Sequence, residues 1–341
     1  MAHIVDVHTH FGLEGVAKKL GIEGNVYGAV RVGPNVVTNY RGLPAVGYGE
    51  MSDFETHMER NEKAGVTKRL LSSGFTAETF SHETTKPTVE VAKVVNEEMA
   101  AVVARAPDRL YGIGTANALD PANVRESERA MTQLGFKGLL CTTSWHGLYL
   151  DTEEAWPFWE YVQDKGVPIF LHPVRTPIGH DNQMDQYKLD ELIGRPFDTS
   201  MCLARMILSG LFDRFPRLQL SVAHMGGGLL PVMGRLNFGW SLGCEGMPER
   251  AKIKCKNEPQ SYLRKHFHVD TMGLWAPHVR EALEVFGPDR VMFGTDYGPV
   301  PIDPKEHVDI VKAMELSKAD EDKVFWKNAD AFFKLGIAGT A

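Results

Sequence analysis

The chain has 341 residues, 43% of them hydrophobic and 24% charged, with a formal net charge of −7. That balance supports a large core and excludes both an electrostatic nucleic-acid footprint and a basic membrane surface, so an anionic ligand must be met by local arginines. No apolar run is long enough to cross a bilayer, and a strand-like run begins at Ile4-Val5-Asp6-Val7 with no signal-peptide pattern before it. Cys141, Cys202, Cys244 and Cys255 show no clustered spacing, which predicts reduced thiols and a cytoplasmic protein rather than a zinc ribbon or a disulfide framework.

In chain order, short apolar runs bounded by turn residues alternate with longer amphipathic stretches. Strands are expected at 4–10, 68–73, 110–116, 138–143, 168–172, 218–224, 267–271 and 291–296. Helices are expected at 53–64, 88–105, 123–134, 154–164, 199–208, 277–286 and 304–314. This order fits a closed parallel (β/α)8 TIM barrel, one domain spanning residues 1–341. Ala64-Gly65-Val66, Leu134-Gly135-Phe136 and Lys165-Gly166-Val167 each put glycine where a helix ends with positive φ before a strand. Residues 11–51 and 176–197 break the rhythm, as inserted βα loops that build a lid and substrate walls at a catalytic face.

Residues two apart on a strand share a face, so His8 and His10 in Asp6-Val7-His8-Thr9-His10 project together at the end of the first strand. His172, His224 and Asp296 close three further strands. Barrel enzymes draw catalytic groups from the C-terminal ends of different strands, which makes this recurrence more informative than any one histidine. His8, His10, His172 and Asp296 are therefore assigned to one divalent cation, with an open position left for water or substrate. The mixed nitrogen and oxygen set suits Zn²⁺ first, with Mn²⁺, Fe²⁺ or Co²⁺ as alternatives. His224, followed by Met225-Gly226-Gly227-Gly228, is left over as a general acid or base, or else as a fifth ligand or outer hydrogen-bond donor.

These residues resemble the amidohydrolase superfamily, and within it the branch of aminocarboxymuconate semialdehyde decarboxylase and related nonoxidative decarboxylases. The likeness also rests on Gly135-Phe136-Lys137-Gly138, Leu171-His172-Pro173, Phe215-Pro216-Arg217-Leu218, Ala223-His224-Met225-Gly226-Gly227, Gly234-Arg235 and Phe293-Gly294-Thr295-Asp296-Tyr297. It implies the same four metal ligands, an acid/base role for His224, a homodimer, and an Arg235 that reaches the neighbouring subunit's site to bind a substrate carboxylate. Several aromatic-acid decarboxylases of this branch have glutamate where His8 stands, so the histidine places the chain nearer the aminocarboxymuconate type and the related hydratases and hydrolases.

Val174-Arg175 follows His172-Pro173 where that type has an aromatic residue. Arg41 and Arg175 are the further candidates for a substrate carboxylate, since guanidinium binds carboxylates bidentately. The expected reaction is nonoxidative decarboxylation of an unsaturated or aromatic acid, with Asp296 and His224 as the catalytic groups. The alternative is hydrolysis of a C–C, ester, lactone or amide bond, or hydration of a conjugated diacid, at the same site.

Overall fold

The computed structural model describes residues 3–13, 15–21, 31–33, 36–38, 44–46, 51–74, 76–83, 86–174, 177, 184, 186–300 and 302–338. Its main sheet has the strands β1 (Val5–His10), β2 (Lys68–Ser72), β3 (Leu110–Thr115), β4 (Gly138–Thr142), β5 (Ile169–His172), β6 (Leu220–Val222), β7 (Phe267–Asp270) and β8 (Val291–Met292). All pair in parallel and in sequence order. Helices α1 (Phe54–Lys63), α2 (Thr88–Val103), α3 (Asn123–Thr132), α4 (Trp156–Lys165), α5 (Arg195–Leu208), α6 (Leu229–Ser241), α7 (Ala276–Phe286) and α8 (Pro304–Lys312) follow the strands in turn. The ends of the sheet meet where Val7 N–H donates to Phe293 O at 3.0 Å, Asp296 N–H donates to His8 O at 2.6 Å, and Thr9 bridges Tyr297.

Apolar side chains explain the closure. Val5, Val7, Leu70, Ile113, Leu140, Phe170, Ala223 and Met292 pack inside the barrel, joined by Phe333, Leu335 and Ile337 from the C-terminal segment. A Cβ at Gly138, the first residue of β4, would lie 3.3 Å from the Phe333 ring, so this plug closes the end where the strands begin. The other end is left to polar side chains.

The β1 strand carries a feature that simple alternation does not predict. Val5 and Val7 face the interior, yet His8, of the opposite parity, also reaches it, with its ring centroid 4.9 Å from that of Phe170. The β1–β2 register shifts between Asp6 and Thr9, and such a bulge turns the side chains beyond it onto the other face. Hydrophobic floor and polar rim thus come from one six-residue strand.

Other departures are local. Strands β6 and β8 stop at Val222 and Met292, short of His224 and Asp296, and both those residues adopt positive φ (+56° each), which no strand continues. The α6 helix was not expected, since Gly234 and Gly239 interrupt it and Phe238 and Leu242 lie on its outer side, 63% and 67% exposed, which blurs the periodic signal. The three helix-to-strand glycines take φ of +82°, +70° and +60°, as their joints require. Within the first insert stand a helix, Gly15–Leu20, and a small antiparallel sheet of Arg31–Gly33, Val36–Thr38 and Pro44–Val46.

Candidate metal centre

At the C-terminal rim, β1 supplies His8 and His10, β5 supplies His172, and the turn after β8 supplies Asp296. One ligand-type atom from each lies within 4.8 Å of all the others, and all four residues are buried. Each imidazole is held from behind. His8 Nδ1 meets Asp270 Oδ2 at 2.6 Å, His10 Nδ1 meets Ser72 Oγ at 2.7 Å, and His172 Nδ1 donates to Pro173 O at 2.8 Å. A neutral imidazole has one N–H, so a ring that donates through Nδ1 presents a bare lone pair at Nε2.

The front of the site is electron-rich as a result. His8 Nε2 and His10 Nε2 face each other at 3.1 Å, and lie 3.3 and 3.0 Å from Asp296 Oδ1. That oxygen is buried and has no hydrogen-bond partner. Lone pairs this close repel unless positive charge sits among them, so the donor set fits a divalent cation. Charge preferences agree. Burial disfavours a charged His8, but Asp296 and Asp270 outweigh it and hold the ring's pKa up at about 10. Burial likewise opposes charge on Asp296, yet the His8, His10 and His224 rings keep its carboxyl well below the usual carboxylate range. His10 and His172 are pushed down, chiefly by burial and then, for His172, by the neighbouring His10 and His8. The site favours positive charge at its centre, and a cation competes there with a proton.

His224 stands beside this group, its Nε2 3.1 Å from Asp296 Oδ2 and its side chain 17% exposed. It opens a left-handed turn, with φ of +56°, +55°, +83° and +65° at His224, Met225, Gly226 and Gly227. Two non-glycine residues in that conformation are strained and need fixed surroundings. Arg235, by contrast, is exposed on α6, away from the barrel interior. Arg41 and Arg175 lie outside the described residues.

Several supporting side chains escaped the sequence reading. Asp270 ends β7 and Ser72 ends β2, so the rule of strand-terminal polar residues, applied to every strand, would have found both. His57 and Arg69 carried no such signal. Arg69, 2% exposed, donates to His57 Nδ1 at 3.0 Å, and His57 Nε2 in turn donates to the carbonyl of His10 at 3.2 Å. Burial first, then the adjacent Arg69 charge, lowers the His57 pKa from an ordinary 6.5 to about 3. Between these values the unfolded chain binds the extra proton and the folded chain does not, so stability falls as pH drops through that window. At pH 5 the loss from this one ring is about 2 kcal/mol. Thermal unfolding at pH 7 and 5 should show a shallower pH dependence for His57→Gln than for the wild type, and an equal slope would contradict this.

A parallel (β/α)8 barrel whose rim gathers three imidazoles and a carboxylate has the architecture of metal-dependent barrel enzymes. The chain belongs to the amidohydrolase family, whose sequence model it matches over residues 5–335. It is 31% identical over 288 residues to gamma-resorcylate decarboxylase of Polaromonas sp., covering 80% of this chain and 85% of that one. In structure it is similar to 5-carboxyvanillate decarboxylase from Sphingomonas paucimobilis, with a TM-score of 0.82 and 27% identity, covering 98% of this chain and 99% of that one. It is also similar to a dihydroxybenzoic acid decarboxylase from Polaromonas sp. with bound manganese and the inhibitor 2-nitroresorcinol, with a TM-score of 0.76, 27% identity and 99% of both chains covered. These relatives are named as decarboxylases of aromatic acids, one of them with bound manganese, and this chain's site supports binding of a divalent metal.

Proposed function

We propose that the protein is a nonoxidative decarboxylase of an aromatic or conjugated carboxylic acid that uses one divalent metal ion held by His8, His10, His172 and Asp296. The observation that carries this reading is the pairing of that donor set with a reachable His224 on the second oxygen of Asp296. When bound, the ion serves as a Lewis acid for a substrate oxygen. Loss of CO₂ leaves an electron pair on carbon, so a proton must be delivered to that carbon. His224 suits this task. Its Nε2 is oriented by Asp296 Oδ2, its Nδ1 is buried without a hydrogen-bond partner, and its side chain is 17% exposed at the rim.

The donor types favour Zn²⁺ as the resident ion, with Mn²⁺ as the alternative that the manganese-containing relative supports. We assign the substrate carboxylate to Arg41, Arg175 and Arg235. Arg235 would act across a homodimer, which the apolar exposure of Phe238 on α6, of Leu242 just after it and of Phe197 and Met201 on α5 supports. Four free cysteines agree with a reducing, cytoplasmic setting, and no helix among the described residues is long and apolar enough to cross a membrane.

The test is to load the purified protein with Zn²⁺ or Mn²⁺ and offer it 2,6-dihydroxybenzoate, 5-carboxyvanillate and aminocarboxymuconate semialdehyde. Release of CO₂, with a product lighter by that amount, is expected for at least one. Products that instead gain water would replace this reading with hydrolysis or hydration.

A further inference from the structure

The Asp270 carboxylate is fully buried and touches two different parts of the site. Its Oδ1 accepts the backbone N–H groups of Met225 at 3.1 Å and Met272 at 3.2 Å, while Oδ2 meets His8 Nδ1 at 2.6 Å. An ionised carboxylate only accepts, so the ring keeps a proton on Nδ1, and whenever His8 is neutral its lone pair falls on Nε2, towards His10 and Asp296. Met225 is the second residue of the left-handed turn that presents His224, a conformation that needs outside support. The fully buried Asp6 makes a useful contrast. Its carboxylate accepts from the His8 and Thr295 backbone N–H groups and the Thr295 hydroxyl, and so ties β1 to the β8 turn without touching a ligand ring.

We propose that Asp270 is a positioning residue with two separable duties: it sets the His8 tautomer that binds metal, and it clamps the turn that aims His224. This rests on the metal site proposed above. Gly294 keeps the arrangement close, because a Cβ there would stand 2.9 Å from the Cβ atoms of both Asp270 and His8.

The two duties predict an unusual ranking of variants. In Asp270→Asn the two backbone N–H groups require the amide oxygen at the Oδ1 position, which turns the amide NH₂ towards His8. His8 must then accept through Nδ1 and carry its proton on Nε2, where the ion belongs. Asp270→Ala removes both contacts but leaves space for water to accept from Nδ1–H, so His8 can keep the metal-binding tautomer. Asparagine should therefore be the worse variant for metal affinity and the better one for the turn.

Mn²⁺ titration of the full-length protein, followed by the EPR signal of free Mn²⁺, should show Asp270→Asn binding about 10- to 100-fold more weakly than wild type, and more weakly than Asp270→Ala. Hydrogen exchange of the Met225 amide should stay slow in Asp270→Asn and become fast in Asp270→Ala. A reversed order in either measurement overturns the proposal, as does Asp270→Asn binding within about twofold of wild type. If neither variant folds, ¹⁵N NMR of the zinc-loaded wild type decides. A proton on His8 Nδ1 supports the proposal, and its absence overturns it. Failure of the wild type to bind Mn²⁺ or Zn²⁺ would refute the metal site itself, and this role with it.

Discussion

Replacing His172 by alanine is expected to strip the protein of its divalent ion and of nearly all turnover. The ring is buried at the end of β5, fixed by its bond to Pro173 O, and its centroid lies 4.7 Å from that of His10 and 5.5 Å from that of His8. Alanine at this place leaves two imidazoles and a carboxylate without the strand that faces them across the barrel. Metal catalysis contributes several kcal/mol to the barrier, and at about 1.36 kcal/mol per decade its loss lowers kcat/KM by roughly three orders of magnitude or more. Metal content by mass spectrometry and CO₂ release, measured on the same sample, check this. A variant that retains a full equivalent of metal and wild-type turnover would remove His172 from the ligand set.

The second large effect is expected from His224→Asn, with the metal left in place. Asparagine tolerates positive φ better than other non-glycine residues, so it suits the φ of +56° at this position. What it cannot do is carry a proton to and from a reacting carbon. General acid/base catalysis is worth about 10²- to 10⁴-fold, and a loss of that size in kcat should appear with unchanged metal stoichiometry. Loss of metal along with activity would instead make His224 a ligand. Unchanged kcat would shift the proton to another group. The pair of variants thus separates holding the ion from moving the proton.

Much of this site was readable along the chain because barrel strands end where chemistry is done. His8, His10 and His172 occupy strand ends, and His224 and Asp296 follow theirs within a few residues. Such placement needs only local periodicity to be recognised. The supports were less readable for a matching reason. Asp270 matters because 262 residues separate it from the His8 ring it holds, and a carboxylate that fixes a tautomer looks in sequence like any other aspartate. His57 and Arg69 join α1 to β2 behind His10, a contact with no periodic trace.

By itself the sequence determined the alternation of strands and helices, the barrel class, and the donor types available to a cation, since each follows from residue identity and spacing within a short window. Only the tertiary structure decided that the bulge in β1 turns His8 inward behind Val7, that α6 forms despite its glycines, and which ring nitrogens face the centre. Those outcomes depend on closing the first strand against the last. Hydrogen bonds between residues almost 300 positions apart, such as Asp6 with Thr295, settle them, and no local pattern records such bonds.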